Sequence, residues 1–396
     1  MSKKRILISG ASIAGPTLAY WLTQYGFEVV IVERAPELRL GGQNIDVHGA
    51  GRKVVRMMGI EERIREANTG EQGLQFIGQR GEVAASFPKD EALSGTRELE
   101  ILRGDLVQIL YDLTAPSVEY RFADSIQAID QTSDGVEVAF SSGRTEMFYV
   151  VIAADGIGSK TRKLIFGNEA QFKFLGVYMT YLTIARHPSD TKWWRWYTAT
   201  DSRILMLRPD NHGTTRAMVA FLEDRELYNN RSPADQKAIV KEKLAGAGWE
   251  AERISKALDS ASDVYLERVG QIHAPNWSKG RVAMVGDAAY CASPLTGKGT
   301  TLALVGAYIL AGELSRHGRP EDAFTAYEKL LRPFIKNVQK LPPGVPKIVY
   351  PSSRLGVSVL NTLAGVVASK PVQAIVGLFS SKGAEAEEKD ISLPVY

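Results

Sequence analysis

The segment from Arg5 to Glu33 leaves this chain few architectures. Arg5-Ile-Leu-Ile-Ser9 is an apolar run of strand length without polar alternation, as a parallel strand buried on both faces requires. Gly10-Ala-Ser-Ile-Ala-Gly15 follows, and from Ile13 to Tyr25 the apolar residues Leu18, Trp21 and Leu22 fall at helical spacing. Pro16 is tolerated in a first helical turn, Gly26 ends the helix, and Glu28-Val-Val-Ile-Val-Glu33 is a second buried strand. Connections this short make a βαβ unit, and with it an α/β fold built on a Rossmann-like parallel sheet.

The turn points to a class of ligand. Glycine at its first and sixth places permits the tight bend and the close packing of helix on strand, while Ser12 stands where a third glycine would admit a pyrophosphate. Serine is small, and its hydroxyl can donate to a phosphate. Gly10, Ser12, Ile13, Ala14 and Gly15 are therefore expected around a dinucleotide pyrophosphate, on N–H groups of a helix N-terminus. Glu33 closes the second strand, where a carboxylate can accept both hydroxyls of an adenosine ribose, and Arg34 beside it joins the expected contacts. The alternative is a tight structural βα turn in another doubly wound fold.

At 396 residues the chain is longer than one typical core, so two domains or a large insertion are expected. Hydrophobic content of 44% with 23% charged residues is that of a globular protein. A formal charge of +3, with no basic tract interleaved with aromatics, gives no support for a nucleic-acid partner. Cys291 is the only cysteine, which excludes an intrachain disulfide. The five histidines show no ligand spacing, so no metal is expected. Met1-Ser-Lys-Lys-Arg5 enters the first strand without an apolar signal region, and the expected location is cytoplasmic. The most apolar stretch, Leu355 to Phe379, is interrupted by Asn361, Lys370 and Pro371. It reads as a packed helix pair and not a membrane span.

Strand-like runs dominate from 171 to 272, and the buried-strand pattern returns at Arg281-Val-Ala-Met-Val285. The expected organisation is a discontinuous nucleotide-binding domain (1–170 plus 273–340), a β-sheet substrate domain (171–272) and a C-terminal helical segment with tail (341–396).

Four motifs then carry a resemblance. They are the Gly10–Gly15 turn; Arg103 in Glu100-Ile-Leu-Arg-Gly-Asp-Leu106; Ala154-Asp155-Gly156-Ile-Gly-Ser159-Lys-Thr-Arg162; and Gly286-Asp287-Ala-Ala-Tyr290 with Pro294-Leu-Thr-Gly297-Lys-Gly299-Thr-Thr. Together they resemble the FAD-dependent aromatic hydroxylases, the p-hydroxybenzoate hydroxylase-like class A flavoprotein monooxygenases. Within that family, Arg39-Leu-Gly-Gly-Gln-Asn-Ile-Asp46 and the apolar C-terminal stretch are similar to the tetracycline destructases.

The resemblance implies bound FAD, with Asp287 at the ribityl chain or pyrophosphate. Pro294, Gly297, Lys298, Gly299 and Thr300 would lie beside the isoalloxazine, Arg39 and Gln43 along the flavin, and Arg103 by the ribityl–phosphate portion. Asp155 would take part in FAD and NADPH binding. Each of these could instead be an ordinary loop or capping residue. Tyr290, Lys298, Thr301 and Gly306 depart from the family's usual histidine, glutamine, asparagine and acidic residue.

The implied reaction has NADPH or NADH reduce FAD and O₂ add at flavin C4a, the hydroperoxide then hydroxylating an aromatic or polycyclic small molecule. Tetracycline-like compounds are in that range, and no protein side chain is assigned as catalytic. For the substrate, Asp46 and two residues of the aromatic run, Trp196 and Tyr197, are expected contacts; alternate core packing of a strand is the competing reading. A reductase or dehydrogenase of an isoprenoid, a flavin-dependent halogenase and a non-catalytic flavin protein that sequesters a ligand remain alternatives. A monomer or homodimer is expected.

Overall fold

The structure, a computed structural model, describes residues 4–89, 99–229, 231–341, 349–368 and 391–396. The chain opens as β1 (Arg5–Ser9), α1 (Ala14–Gln24) and β2 (Glu28–Val32). Next come β3 (Asn44–Asp46), α2 (Gly49–Met57), α3 (Glu61–Glu66), β4 (Gly73–Ile77) and β5 (Val83–Pro88). β6 (Glu100–Leu102) runs into α4 (Arg103–Thr114). After it lie β7 (Glu119–Arg121), the meander β8 (Ile126–Gln131), β9 (Val136–Phe140) and β10 (Thr145–Phe148), then β11 (Val150–Ala153) and α5 (Lys160–Phe166). A long excursion holds β12 (Gln171–Ala185), β13 (Trp194–Ala199), β14 (Arg203–Pro209), β15 (Thr214–Leu222), α6 (Pro233–Leu244), α7 (Ala251–Ser260) and β16 (Tyr265–His273). The chain returns through β17 (Ser278–Lys279), β18 (Val282–Met284), α8 (Asp287–Tyr290), α9 (Gly299–Arg316) and α10 (Pro320–Val338), and α11 (Arg354–Val367) follows.

The first sheet runs β17-β18-β11-β1-β2-β7, parallel at every pairing but the β17 edge. Its central strands are apolar on both faces because both are covered. Ile6, Ile8, Val29 and Ile31 pack towards α1 and α9, whereas Leu7, Val30 and Val32 pack on the β8–β10 meander. β18 adds itself beside β11 after the excursion, with Val151 opposite Val282. This is the Rossmann-like sheet expected from residues 5–33.

The second sheet runs β16-β12-β15-β14-β13-β4-β5. Here the expected boundary shifts: residues 73–88, assigned by sequence order to the nucleotide-binding part, extend this second sheet. β4 lies parallel to β13, Leu74 opposite Trp194 and Phe76 opposite Trp196. That pairing joins residues far apart in the chain, and no local pattern marks it. One face of the sheet packs Leu182, Tyr197, Leu205 and Val219 on Val240, Ile254 and Leu258 of α6 and α7. The other gathers Met179, Tyr181, Met206 and Val269 with Leu295 and Tyr350, so it faces the chain that leads into α9.

At the C-terminal end, Ala364 and Val367 of α11 pack near Phe76, Trp194 and Trp196. The rest of the expected helix pair, to Phe379, and the polar stretch Ser381–Asp390 lie outside the described residues. Residues 391–396 dock on α9: Tyr308 donates to the Pro394 carbonyl (2.7 Å) and Tyr396 to Glu313 (2.7 Å). Among the described residues no helix is long and apolar enough to cross a membrane, and no cluster could hold a metal ion.

Candidate active site

The first βα turn is held by sterics on three sides. Gly10 has φ +114°, its N–H donates to the Val32 carbonyl (2.8 Å), and a Cβ there would stand 2.5 Å from the Ala154 oxygen. A Cβ on Gly15 would meet the Gly10 carbonyl at 2.0 Å. Glycine at the first place therefore fits the turn between its two neighbouring strands, and at the sixth lets α1 close on the turn. Glu33 is buried and braces the same turn, Oε2 accepting from the Ala11 N–H (3.0 Å) and Oε1 from Ala35 (2.9 Å). Each of its oxygens keeps a further lone pair for a ligand hydroxyl. Arg34 is exposed at the strand end.

Arg103 is the first residue of α4, and its guanidinium ties three segments together. It donates to Ser12 Oγ (3.2 Å), to the Arg39 carbonyl (2.8 Å) and to the Gly41 carbonyl. The loop wraps it so tightly that a Cβ on Gly42 would lie 2.5 Å from its Nε. The same loop carries Gln43, whose Oε1 is a buried acceptor with no partner among the described residues. Arg39 is exposed.

Asp155 spends its carboxylate locally. It accepts from the Ser159 hydroxyl, the Thr161 N–H (3.2 Å) and the Thr161 hydroxyl (3.1 Å), bracing the start of α5. The buried Arg162 of the same motif donates to the carbonyls of Ile157 (2.6 Å) and Ala288 (2.9 Å). This motif thereby positions the Asp287 turn.

Gly286 (φ +65°) brings that turn against the start of α1, where its Cβ would meet the Ala14 methyl at 3.0 Å. Asp287 is open to solvent on one side and crowded by protein on the others, and the crowding raises its carboxyl above the usual range. Beyond it, the Ser293 hydroxyl accepts from the Leu295 N–H (3.1 Å), Pro294–Thr296 form one 3-10 turn, and Gly297 is left-handed at φ +64°. Lys298 heads α9 and Thr300 is buried in its first turn. Among the described residues, no atom beyond the adjoining chain and the helix's own backbone lies within 4 Å of a Cβ built on Gly297 or Gly299. Thr301 donates to the His48 carbonyl (3.2 Å), fastening α9 to the chain before α2.

Two departures from the family pattern explain each other. The Tyr290 ring is buried against Trp277 (4.7 Å between centroids), and its hydroxyl accepts from Tyr327 (3.1 Å). That hydroxyl would stand 1.9 Å from a Cβ on Gly306. With tyrosine at 290, α9 has room only for glycine at 306.

The pleat of β13 separates the two aromatic residues expected to touch substrate. Trp196 lies on the face with Met179, Met206 and Leu295. Tyr197 lies on the other, buried on α6 and α7, stacked on Trp249 (5.4 Å) and donating to the Ala247 carbonyl (3.1 Å). Tyr197 is therefore a core residue, which corrects the expectation of a substrate contact. Trp194 shares the Trp196 face; its Nε1–H is buried without a partner among the described residues, and Arg208 lies 4.4 Å over its ring. Arg208 in turn forms a two-pronged pair with Glu71 (2.7 Å for both contacts). Asp46 lies in the field of this cluster, on β3 opposite Glu100. Glu100 is fully buried; burial first and Glu71 second raise its carboxyl, which accepts from Asn44 (2.6 Å) and Thr69.

Sequence reasoning missed Glu267. It lies on the Met179 face, opposite Met179 in the β12–β16 ladder and one step from the Tyr181–Tyr265 pair. Burial, then the charge of Asp287, push its carboxyl up to about 7. Alternation along Tyr265–His273 could have placed it on this face, but nothing local distinguishes the inner face from the outer.

Residues 3–340 match the family model described as FAD binding domain. The chain belongs to this FAD-binding family. The flavin-dependent monooxygenase eupH of Phoma sp is 36% identical across all of this chain and 98% of its own length. A flavin-dependent monooxygenase of Legionella longbeachae is 39% identical over 86% of this chain and 88% of its own. The crystal structure of the tetracycline destructase Tet(51) superposes with a TM-score of 0.84 at 32% identity, covering both chains completely. The protein is thus an FAD-dependent monooxygenase of the aromatic hydroxylase type.

The residues of this FAD-binding monooxygenase fit the cofactor. Glycine cradles at 10 and 15, free lone pairs on Glu33, the orphaned acceptor of Gln43 and the unobstructed backbone at Gly297 and Gly299 are features a dinucleotide flavin can use.

Proposed function

We propose that this monooxygenase consumes NADPH or NADH and O₂ to hydroxylate an aromatic or polycyclic small molecule, tetracycline-like compounds included. The observation that carries the reading is the apolar, aromatic face of the second sheet, which packs Leu295 from the segment leading into α9. Trp194 on β13 and Glu267 on β16 are four strand spacings apart in the sheet order. At ~4.8 Å per spacing the wall is about 19 Å wide, more than a single ring needs. The likeness to Tet(51), a tetracycline destructase, supports a fused-ring substrate.

When bound, FAD carries two electrons from NADPH or NADH to O₂, one oxygen atom entering the substrate and the other leaving as water. The chain's residues bind, orient and exclude water. The Gly10–Gly15 turn and Arg103 would hold the phosphates, Glu33 the ribose hydroxyls and Asp287 the ribityl chain. Backbone N–H groups from Gly297 to Thr300 would face the pyrimidine edge. There the positive end of α9 favours negative charge by roughly 1 kcal/mol. Met179, Met206 and Trp196 would line the opposite side and keep water from the reacting centre. A single dinucleotide turn in the sequence suits a nicotinamide that visits without a Rossmann domain of its own.

Purified FAD-loaded protein should oxidise NADPH faster with a phenolic or tetracycline ligand, take up O₂, and yield a product heavier by one oxygen. Reduction of the flavin with no ligand from either panel accelerating it or gaining oxygen would overturn the substrate class. A flavin that neither nicotinamide bleaches would overturn the reductant.

A further inference from the structure

We infer that Glu267 orients the substrate, accepting a hydrogen bond from a hydroxyl or amino group on an otherwise apolar ring system; this rests on the substrate wall proposed above. The strand register puts the carboxyl among ring and thioether neighbours. Met179 is its cross-strand partner, and Tyr181, Tyr265, Val177 and Val269 flank it on the same face. Opposed side chains of such a ladder have Cβ atoms about 5 Å apart, so the carboxyl stands within the wall. Its chain neighbours point the other way. Leu266 packs towards α6 and α7, and Arg268 pairs with Glu226 while stacking over Phe172. The nearest cation in sequence is therefore on the wrong face to neutralise it.

Among the described residues Glu267 has no hydrogen bond and no ion pair, although it is only partly exposed. A carboxyl held in that setting is costly unless something completes it. The charged group that bears on it is Asp287, a second acceptor of like sign. Once ionised, the carboxylate only accepts, so a donor, and not another acceptor, satisfies this corner. Phenolic hydroxyls, enols and amines are donors that sit on planar ring systems, and the apolar neighbours accept the rest of the ring.

The test compares 2-naphthol with 2-methoxynaphthalene, which share the ring and differ in the O–H donor. Binding to the oxidised FAD-loaded protein, without nicotinamide, is measured by calorimetry. At about pH 8.5, where the carboxyl is ionised and the naphthol still carries its proton, the wild type should bind 2-naphthol at least about tenfold more tightly, one charge-assisted hydrogen bond. Glu267→Leu should bring that ratio below about twofold with unchanged FAD content, while Glu267→Gln, a neutral acceptor that also donates, should fall between the two. Should the leucine variant fail to fold, Glu267→Met removes the acceptor with closer shape. Binding of both probes with no preference, or a preference that survives removal of the acceptor, overturns the assignment alone. Binding of neither probe to the wild type overturns the wall reading as well.

Discussion

The pairing of Tyr290 with Gly306 yields a prediction whose size follows from the geometry. In Gly306→Ala the new methyl would stand 1.9 Å from the Tyr290 hydroxyl oxygen, 3.1 Å from the ring carbon behind it and 3.3 Å from a Leu331 methyl. Only the first contact is impossible, and the ring is buried against Trp277 and held at its hydroxyl by Tyr327, so it cannot swing aside. Overpacking of this kind costs roughly 1–3 kcal/mol, and alanine returns about 1 kcal/mol of helix propensity. The net destabilisation should be about 0–2 kcal/mol. Tyr290→Phe alone loses the hydrogen bond from Tyr327, which keeps the Met284 carbonyl (3.2 Å), and should cost about 1 kcal/mol. In the double variant the offending oxygen is gone, and the remaining 3.1 Å contact needs a shift of a few tenths of an ångström. The double variant should therefore be more stable than the sum of the singles by about 1–2 kcal/mol. Urea unfolding of the four FAD-loaded proteins, followed by tryptophan fluorescence, measures the cycle. Additivity within about 0.5 kcal/mol would refute the steric link and leave the two departures unrelated.

Gly299→Asp should abolish FAD retention, because a side chain and a negative charge would enter the flavin loop. The ratio of flavin to protein absorbance after purification reports it, and a wild-type ratio would displace that loop from the site. Trp196→Ala should weaken substrate binding, whereas Tyr197→Phe should leave it intact and cost about 1 kcal/mol of stability, since its hydroxyl serves the Ala247 carbonyl; equal effects on ligand titrations would contradict the pleat assignment. Asp190 supplies a pH signature. Burial alone would raise its carboxyl, yet Arg253, the His187 N–H and the Thr215 hydroxyl hold it at about 2, below the ordinary 3.8. A depressed folded value gives stability present above pH ~4 and lost as pH falls towards 2. Asp190→Asn should flatten that part of the stability curve, and an unchanged acid slope would remove Asp190 from the account.

What was legible in the sequence was whatever a local pattern states. Residues 5–33 announce a strand, a phosphate turn and a strand because buried periodicity and glycine geometry are both local. The Gly286–Gly299 segment is legible through its resemblance to a family motif, which is again a local pattern. The sheet face proposed as the substrate wall was less legible. Its inner and outer faces alternate along strands that look alike, so Trp196 and Tyr197 could not be told apart until α6 and α7 were seen to cover one side. The joining of residues 73–88 to β13 and the placement of Glu267 beside Asp287 depend on chain crossings that no window of neighbouring residues contains. The Asp155 motif is recognisable in the sequence, whereas the bonds its oxygens accept from Ser159 and Thr161 emerge only in the folded turn.

The return of β18 to the edge of β11 has a consequence for how the protein is made. Val151 and Val282 meet only after the whole second sheet has been translated, and closing a loop of roughly 130 residues costs about 4 kcal/mol of chain entropy. On the ribosome, the first strands can gather around α1 while the flavin loop and α9 are still unsynthesised. The nascent chain then carries a phosphate turn with no floor beneath it. The last strand of the parallel sheet and the helix after it are accordingly made only once every strand of the second sheet has been synthesised.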